Sequence, residues 1–262
     1  MIQNYSDLTR LEMEQVNKDE TIVLIPLGAL EQHGNQAPLG TDDIIAEAMT
    51  DYIRRELEVE DSDFPMLIFP VIPVGLSTEH RNFCGSITFK PDTYYHMLYD
   101  ISTSLVCHGF KKLAFLVCHG GNAPIVQVLS RELRSEFGIS PFILSSGAFS
   151  HPDVTATIQK EISGTSMEVK WKPPWSGHGP VPGKVRDSEA GIPTAFKDNQ
   201  ALKPYGNVSI GWVSEDWKTA DGKPIGIGGD PSGATAEKGR IILETSAKVL
   251  VPGLKEIRAW KG

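Results

Sequence analysis

Thr21-Ile22-Val23-Leu24-Ile25-Pro26-Leu27 is an apolar run that ends at Gly28 and opens into Ala29-Leu30-Glu31-Gln32-His33-Gly34, then Pro38-Leu39-Gly40-Thr41-Asp42-Asp43. Such a run reads as a buried strand. The loop behind it carries three metal-competent side chains, Glu31, His33 and Asp42. Glu31 and His33 are two apart, so an extended backbone points both to one side. Asp42 follows a Pro/Gly-containing loop, where a helix should start. A carboxylate, an imidazole and a second carboxylate at a strand's carboxyl end can begin a divalent metal site. The alternative is a surface loop with a capping Asp.

The rest of the chain extends the pattern. Residues 6–18 read as a short helix capped by Ser6 or Asp7. A helix of about 43–57 follows the first loop, with Ile44, Ile45, Ala48, Met49, Tyr52 and Ile53 at helical spacing. Met66–Val74 is a second strand, bent by Pro70 and Pro73. The loop from Gly75 to Phe89 carries Glu79, His80 and Cys84. A helix of about 92–108 is closed by Gly109. A strand at 112–117 runs directly into Cys118-His119-Gly120-Gly121-Asn122. A helix at 123–137 and a strand at 142–145 follow. This alternation predicts an α/β fold: a layered, mostly parallel sheet with helices on both faces. Such sheets hold their sites at the carboxyl ends of strands, so the Glu31/His33 loop and the His119 loop can converge.

Beyond 151 the texture changes. Residues 171–186 and 203–232 are rich in Gly and Pro and carry Trp171, Trp175, Trp212 and Trp217, which suit a pocket wall or a subunit interface. A short helix is expected at about 192–199, and a long one at 233–251, capped by Ser232 and ended by Pro252-Gly253. With no internal repeat, residues 1–262 read as one domain.

The formal net charge is -8, which argues against nucleic acid or an anionic membrane as partner. Three cysteines without framework spacing suggest a reducing compartment. The start lacks a basic flank and an apolar core, and no apolar run reaches spanning length, so a cytoplasmic location is expected. Cys118, at the end of a buried strand, reads as an inert core thiol rather than a soft ligand or nucleophile. Asn122 reads as the residue that holds its turn.

Taken together, Pro26-Leu27-Gly28-Ala29-Leu30-Glu31-Gln32-His33-Gly34, Pro38-Leu39-Gly40-Thr41-Asp42, Ser77-x-Glu79-His80, Phe83-x-Gly85-Ser86-Ile87, His108-Gly109-Phe110 and His119-Gly120-Gly121-Asn122 resemble the creatininase (creatinine amidohydrolase) family. The resemblance is close over the first 140 residues and loose thereafter, with an echo in Gly229-Asp230-Pro231 and Ala236-Glu237-Lys238-Gly239. It implies a layered α/β fold, a homo-oligomer (often a hexamer) and a hydrolytic site with two divalent ions, Zn, Mn or Fe. Glu31, His33, Asp42 and His119 match the family's metal positions. Asp42 would bridge the ions, with Glu31 and His119 on one and His33 on the other. Two such ions polarise a carbonyl and generate hydroxide near neutral pH.

The departures are specific. Creatininase carries a ligating Glu where this chain has Gly121. Where many relatives read Asp-x-His-Ala-Gly, this chain reads Asp187-Ser188-Glu189-Ala190-Gly191. Glu189 is therefore the expected fifth ligand or base, against a surface or capping acid. His178 is a candidate proton donor beside Glu189, against a solvated loop histidine. Val185-Arg186 stands where creatininase has a tryptophan, which argues against creatinine as substrate. The implied activity is hydrolysis of a small-molecule amide, a cyclic amide or formamide C–N bond. The alternative is a degenerate member that binds metal or a small ligand without turnover. Glu79 and His80 are read as pocket-lining, ligand-orienting or packing residues.

Overall fold

Ile2–Asn4 (β1), Ile22–Leu27 (β2), Met66–Ile68 (β3), Lys112–Val117 (β4) and Ser140–Ser145 (β5) pair in parallel, in the spatial order β1-β3-β2-β4-β5. This is a computed structural model, and it describes residues 1–146, 192–193, 202–203, 208–228 and 234–261. The helices are Arg10–Gln15 (α1), Thr41–Glu60 (α2), Pro91–Cys107 (α3), Ala123–Phe137 (α4) and Ala236–Ala259 (α5). Short strands Ile192–Pro193 (β6) and Trp217–Lys218 (β9) pair antiparallel, while Leu202–Lys203 (β7) and Val208–Ser209 (β8) pair in parallel.

Every residue of β2 and of β4 is buried, because both sheet faces are covered. Strand alternation sorts their side chains. Ile22 and Leu24, with Ala114 and Leu116, meet Met49, Ile53 and Leu57 of α2 and Leu243, Ala247, Val251 and Leu254 of α5. Val23, Ile25 and Leu27, with Leu113, Phe115 and Val117, meet Tyr94 and Leu98 of α3 and Val126, Leu129 and Leu133 of α4. Each large aliphatic or aromatic side chain buried this way contributes about 1.5–3 kcal/mol. The expected parallel sheet with helices on both faces is the observed fold.

Several boundaries differ from the sequence reading, each for a local reason. The helix expected over 6–18 is a 3-10 turn at Tyr5–Asp7 followed by α1, whose cap is Thr9. Thr9 and Glu12 form a reciprocal capping box, which outcompetes Ser6 and Asp7. The helix α2 starts at Thr41, so Asp42 lies in its first turn rather than capping it. The regular ladder of β3 breaks after Ile68, ahead of Pro70, and pairing with β2 resumes as a parallel bridge between Ile72 and Leu27, as a strand bent at its prolines would give. Residues 192–193, expected to begin a helix, are in β6; residues 194–200 lie outside the described residues.

The last helix differs most. It is capped by Thr235, not Ser232, and continues through Pro252 and Gly253 to Ala259. Proline inside a helix costs about 3 kcal/mol. Here Val251, Leu254 and Ile257 are buried on the sheet, and Arg258 reaches Asp61 at the end of α2 at 2.7 Å. That packing outweighs the local penalty. No helix among the described residues is long and apolar enough to cross a membrane.

Candidate metal centre

The register brings the two site loops together. Leu27 of β2 pairs with Val117 of β4, so both central strands end at one edge. Residues 28–40 and 118–122 leave that edge side by side. Asn122, fully buried, fastens them: its Nδ2 donates to the Gly28 carbonyl at 2.9 Å and its Oδ1 accepts from Leu76 N–H at 2.9 Å. Three loops are thus held by one amide, which reaches across to the other two rather than holding its own turn. The first loop is pinned again by Glu31 N–H to Leu39 O at 3.0 Å, Ile87 N–H to Leu30 O at 2.8 Å and Gln32 N–H to Ser86 Oγ at 3.0 Å. At Gly28, a Cβ would displace the Asp43 carboxylate and lie 3.0 Å from the Asp43 Cα, so glycine here lets the amino end of α2 sit close over the loop with Asp43 in place.

Glu31, His33, Asp42 and His119 meet in the space so formed, at 3%, 4%, 6% and 7% exposure. His33 Nε2 lies 3.5 Å from Asp42 Oδ1 and 3.9 Å from Glu31 Oε1. His119 Nδ1 lies 3.1 Å from Asp42 Oδ2, and its Nε2 lies 3.4 Å from Glu31 Oε2. His33 Nδ1 faces the Glu31 carbonyl at 3.1 Å; donating there leaves Nε2 with its lone pair toward the carboxylates. Glu31 Oε2 and Asp42 Oδ2 are buried and accept no hydrogen bond of normal geometry. Buried carboxylate oxygens left this way need a cation. Glu31, His33 and Asp42 offer ligand atoms all within 4.8 Å of one another. The donor set, two carboxylates and two imidazoles, fits a divalent ion with N/O preference.

Without metal, the charges balance in another way. Burial disfavours the Asp42 carboxylate, but the His119 and His33 imidazoles beside it prevail and hold its pKa down at about 2. Burial likewise disfavours the His119 imidazolium, yet Asp42, Glu31 and Glu79 raise its pKa to about 9. Burial pushes Glu31 up to about 7, against the pull of His119. A protonated His119 therefore sits between the two carboxylates as their counter-cation.

Glu79 and His80 belong to this site. They lie on a 3-10 turn, Thr78–His80, and His80 is buried. His80 Nε2 lies 3.3 Å from Glu31 Oε1, and Glu79 Oε1 lies 3.9 Å from His119 Nε2. His80 Nδ1 is met by Gln32 Nε2 at 2.9 Å and Ser214 Oγ at 2.7 Å. Gln32 also donates to the Gly226 carbonyl, and Asn82 Nδ2 bonds Glu215 at 2.6 Å. Residues 212–226 are thereby fastened to the centre. Trp212 and Trp217 pack edge to face with ring centroids 4.7 Å apart, and Trp212 stands 6.4 Å from the His80 ring.

Sequence reasoning missed Gln32 and Ser214. Gln32 lies between two ligand candidates and could have been found by asking what orients them. Ser214 carries no signal. Burial raises the Cys118 thiol to about 12, which matches an inert core thiol. Glu189, His178, Trp171 and Trp175 lie outside the described residues.

The comparisons with known proteins agree with this fold. A family model described as Creatininase: Creatinine amidohydrolase matches residues 6–179. A mycofactocin precursor peptide peptidase of Mycobacterium ulcerans (strain Agy99) is 28% identical over 242 residues, 91% of this chain and 85% of the relative. Another, of Mycobacterium tuberculosis (strain ATCC 25618 / H37Rv), is 34% identical over 117 residues, 44% of this chain and 46% of the relative. The match thus spans about half the length of that relative. Among solved structures, creatininase with Mn superposes with a TM-score of 0.70 at 21% identity, over 96% of this chain and 97% of the other. A second structure, creatinine amidohydrolase (creatininase), gives 0.70 at 20% identity over 96% of each. The structures match in fold, and the family model covers more than half of the sequence: this chain belongs to the creatininase family.

Proposed function

We propose that this protein is a metal-dependent hydrolase of an amide C–N bond, with a small-molecule amide, a cyclic amide or formamide, as substrate. One observation carries the reading. Four buried ligating side chains converge at the carboxyl edge of the sheet, and two of their carboxylate oxygens, Glu31 Oε2 and Asp42 Oδ2, are buried and face only the His119 imidazole, with no hydrogen bond of normal geometry. Glu31, His33, Asp42 and His119 would hold two divalent ions, Zn, Mn or Fe. When bound, such ions polarise a carbonyl and lower the pKa of water to about 7.

The chain's own groups do the remaining work. Asp42 and Glu31 neutralise the cations, and His33 presents Nε2. His80 holds Glu31 from behind, and Trp212 and Trp217 close the side of the site next to His80. Glu189 or His178 passes the proton to the leaving nitrogen. A homo-oligomer is the expected assembly.

A second reading, hydrolysis of a peptide amide, is favoured by the Mycobacterium relatives named as precursor peptide peptidases. One experiment separates the readings. Protein loaded with Zn, Mn or Fe is incubated with lactams, formamides and short peptides, and products are followed by mass spectrometry. Turnover of lactams or formamides alone supports the first reading, and peptide turnover the second. With metal bound and no turnover anywhere, the protein is a binding member of its family.

A further inference from the structure

We propose that Glu79 is a metal ligand of this centre, supplying from the 78–80 turn a carboxylate that position 121 cannot supply. The inference rests on the metal-dependent reading above. Its geometry begins at Gly121. A Cβ there would lie 2.1 Å from the Leu76 carbonyl oxygen, 2.5 Å from His119 Nε2 and 3.1 Å from Glu79 Oε1. The first of these contacts is with backbone and cannot yield. Residue 121 therefore carries no side chain, and the sector it would enter is taken by the Glu79 carboxylate.

Glu31, Glu79 and His80 offer ligand atoms within 4.8 Å of one another, a second group sharing Glu31 with the first. The hydrogen bonds decide which of the three ligate. Gly34 N–H donates to Gln32 Oε1 at 2.9 Å, and Gln32 Nε2 donates to the Gly226 carbonyl. These two bonds fix the Gln32 amide, so its NH2 group faces His80 Nδ1 at 2.9 Å. An NH2 group only donates. His80 Nδ1 must then accept, and the ring carries its proton on Nε2, aimed at Glu31 Oε1 3.3 Å away. A protonated Nε2 has no lone pair for a metal. His80 is thus a positioning residue that occupies Oε1 of Glu31, and the unpartnered, buried Oε2 is left for a cation. Glu79 is the remaining ligand of the group. His119 Nε2 donates to the Leu76 carbonyl at 3.1 Å, which leaves Nδ1, on the Asp42 side, as the nitrogen free to ligate. The Nε2 edge of the same ring lies 3.4 Å from Glu31 Oε2 and 3.9 Å from Glu79 Oε1, so the two carboxylates face one side of the centre.

The test uses the full chain stripped by chelator and titrated with Co2+ as the probe. Equivalents are counted by calorimetry and elemental analysis, and coordination is followed in the visible spectrum. About two equivalents are expected for the unaltered protein. In Glu79→Gln one equivalent is expected to be lost or weakened by more than about tenfold, with a changed Co2+ spectrum and unchanged urea unfolding of the metal-free protein. Glu79→Asp is expected to fall between the two. Wild-type stoichiometry, affinity and spectrum in Glu79→Gln would overturn the proposal. So would an affinity loss matched by lost metal-free stability, which would make the role structural. Less than one equivalent in the unaltered protein overturns the metal-dependent reading as well, so the two failures are distinct.

Discussion

Asn122→Ala tests whether one buried amide fastens the site loops. The side chain is fully buried and makes two hydrogen bonds of 2.9 Å, to Leu76 N–H and to the Gly28 carbonyl. Alanine leaves both main-chain groups behind. A buried group stranded without its partner costs about 1–3 kcal/mol, so losing both bonds costs about 2–6 kcal/mol when neither loop relaxes. Water entering the vacated space moves the figure toward the lower bound. The assay is urea unfolding of the chelator-treated protein, reading the midpoint at constant slope. Asn122→Asp is the companion variant. It keeps an acceptor for Leu76 but turns a carboxylate oxygen on the Gly28 carbonyl. It should be at least as unstable at pH 7 and recover part of the loss in acid, where the protonated carboxyl can donate. A cost below about 0.5 kcal/mol for Asn122→Ala, the range of a plain surface change, would refute the fastening argument.

Three further outcomes are expected. His80→Ala removes the partner behind Glu31 and should weaken metal binding by about 10–100-fold with the ligands intact, measured by competition with a chromogenic chelator. His119 has its pKa raised from 6.5 to about 9 in the metal-free protein. The stability this gives is full below pH 6.5 and lost as pH rises through about 9. Metal must displace that proton, so affinity should climb with pH over the same window, and calorimetry at pH 7.5 in buffers of different ionisation enthalpy should show proton release. Pro252→Ala should raise unfolding stability by about 1–3 kcal/mol, because it restores a main-chain donor inside α5; an unchanged or lower urea midpoint would show that the helix has adapted to the proline.

The parts legible in the sequence share a physical origin. Two strands buried on both faces read as unbroken apolar runs, and a parallel sheet has only one edge at which the loops after them can emerge. Glu31, His33 and His119 sit directly on those loops, and Asp42 on the helix that follows, so their convergence could be expected. What was not legible depends on contacts between distant segments. Glu79 and His80 read from the sequence as pocket-lining, ligand-orienting or packing residues, but the choice among these is set by Asn122 accepting from Leu76 and by Thr88 accepting from Ser77 N–H, neither of which leaves a periodic trace. Ser214 meets His80 across 134 positions. The continuation of α5 through Pro252 required knowing that Leu254 and Ile257 would be buried; taken locally, Pro-Gly is a stop.

The fastening and the chemistry of this centre are carried by different groups. Apart from the Glu215 carboxylate that holds Asn82, the groups that fix the loops are neutral: the Asn122 and Gln32 amides, the hydroxyls of Ser86 and Thr88, and main-chain bonds between Glu31 and Leu39 and between Leu30 and Ile87. None of these bonds needs an ion. The charged groups are enclosed by that frame, and in the metal-free state the His119 imidazolium offsets the carboxylates it faces. Many small metal sites fold only around their ion, because nothing else holds the ligands. Here a five-stranded sheet and neutral hydrogen bonds hold them first, so the ion meets a pre-organised site and exchanges for a proton rather than for an unfolded chain. Chelation should therefore remove the metal and leave one cooperative unfolding transition. A metal-free protein that unfolds in two steps, the loops before the sheet, would show instead that the ion is part of the frame.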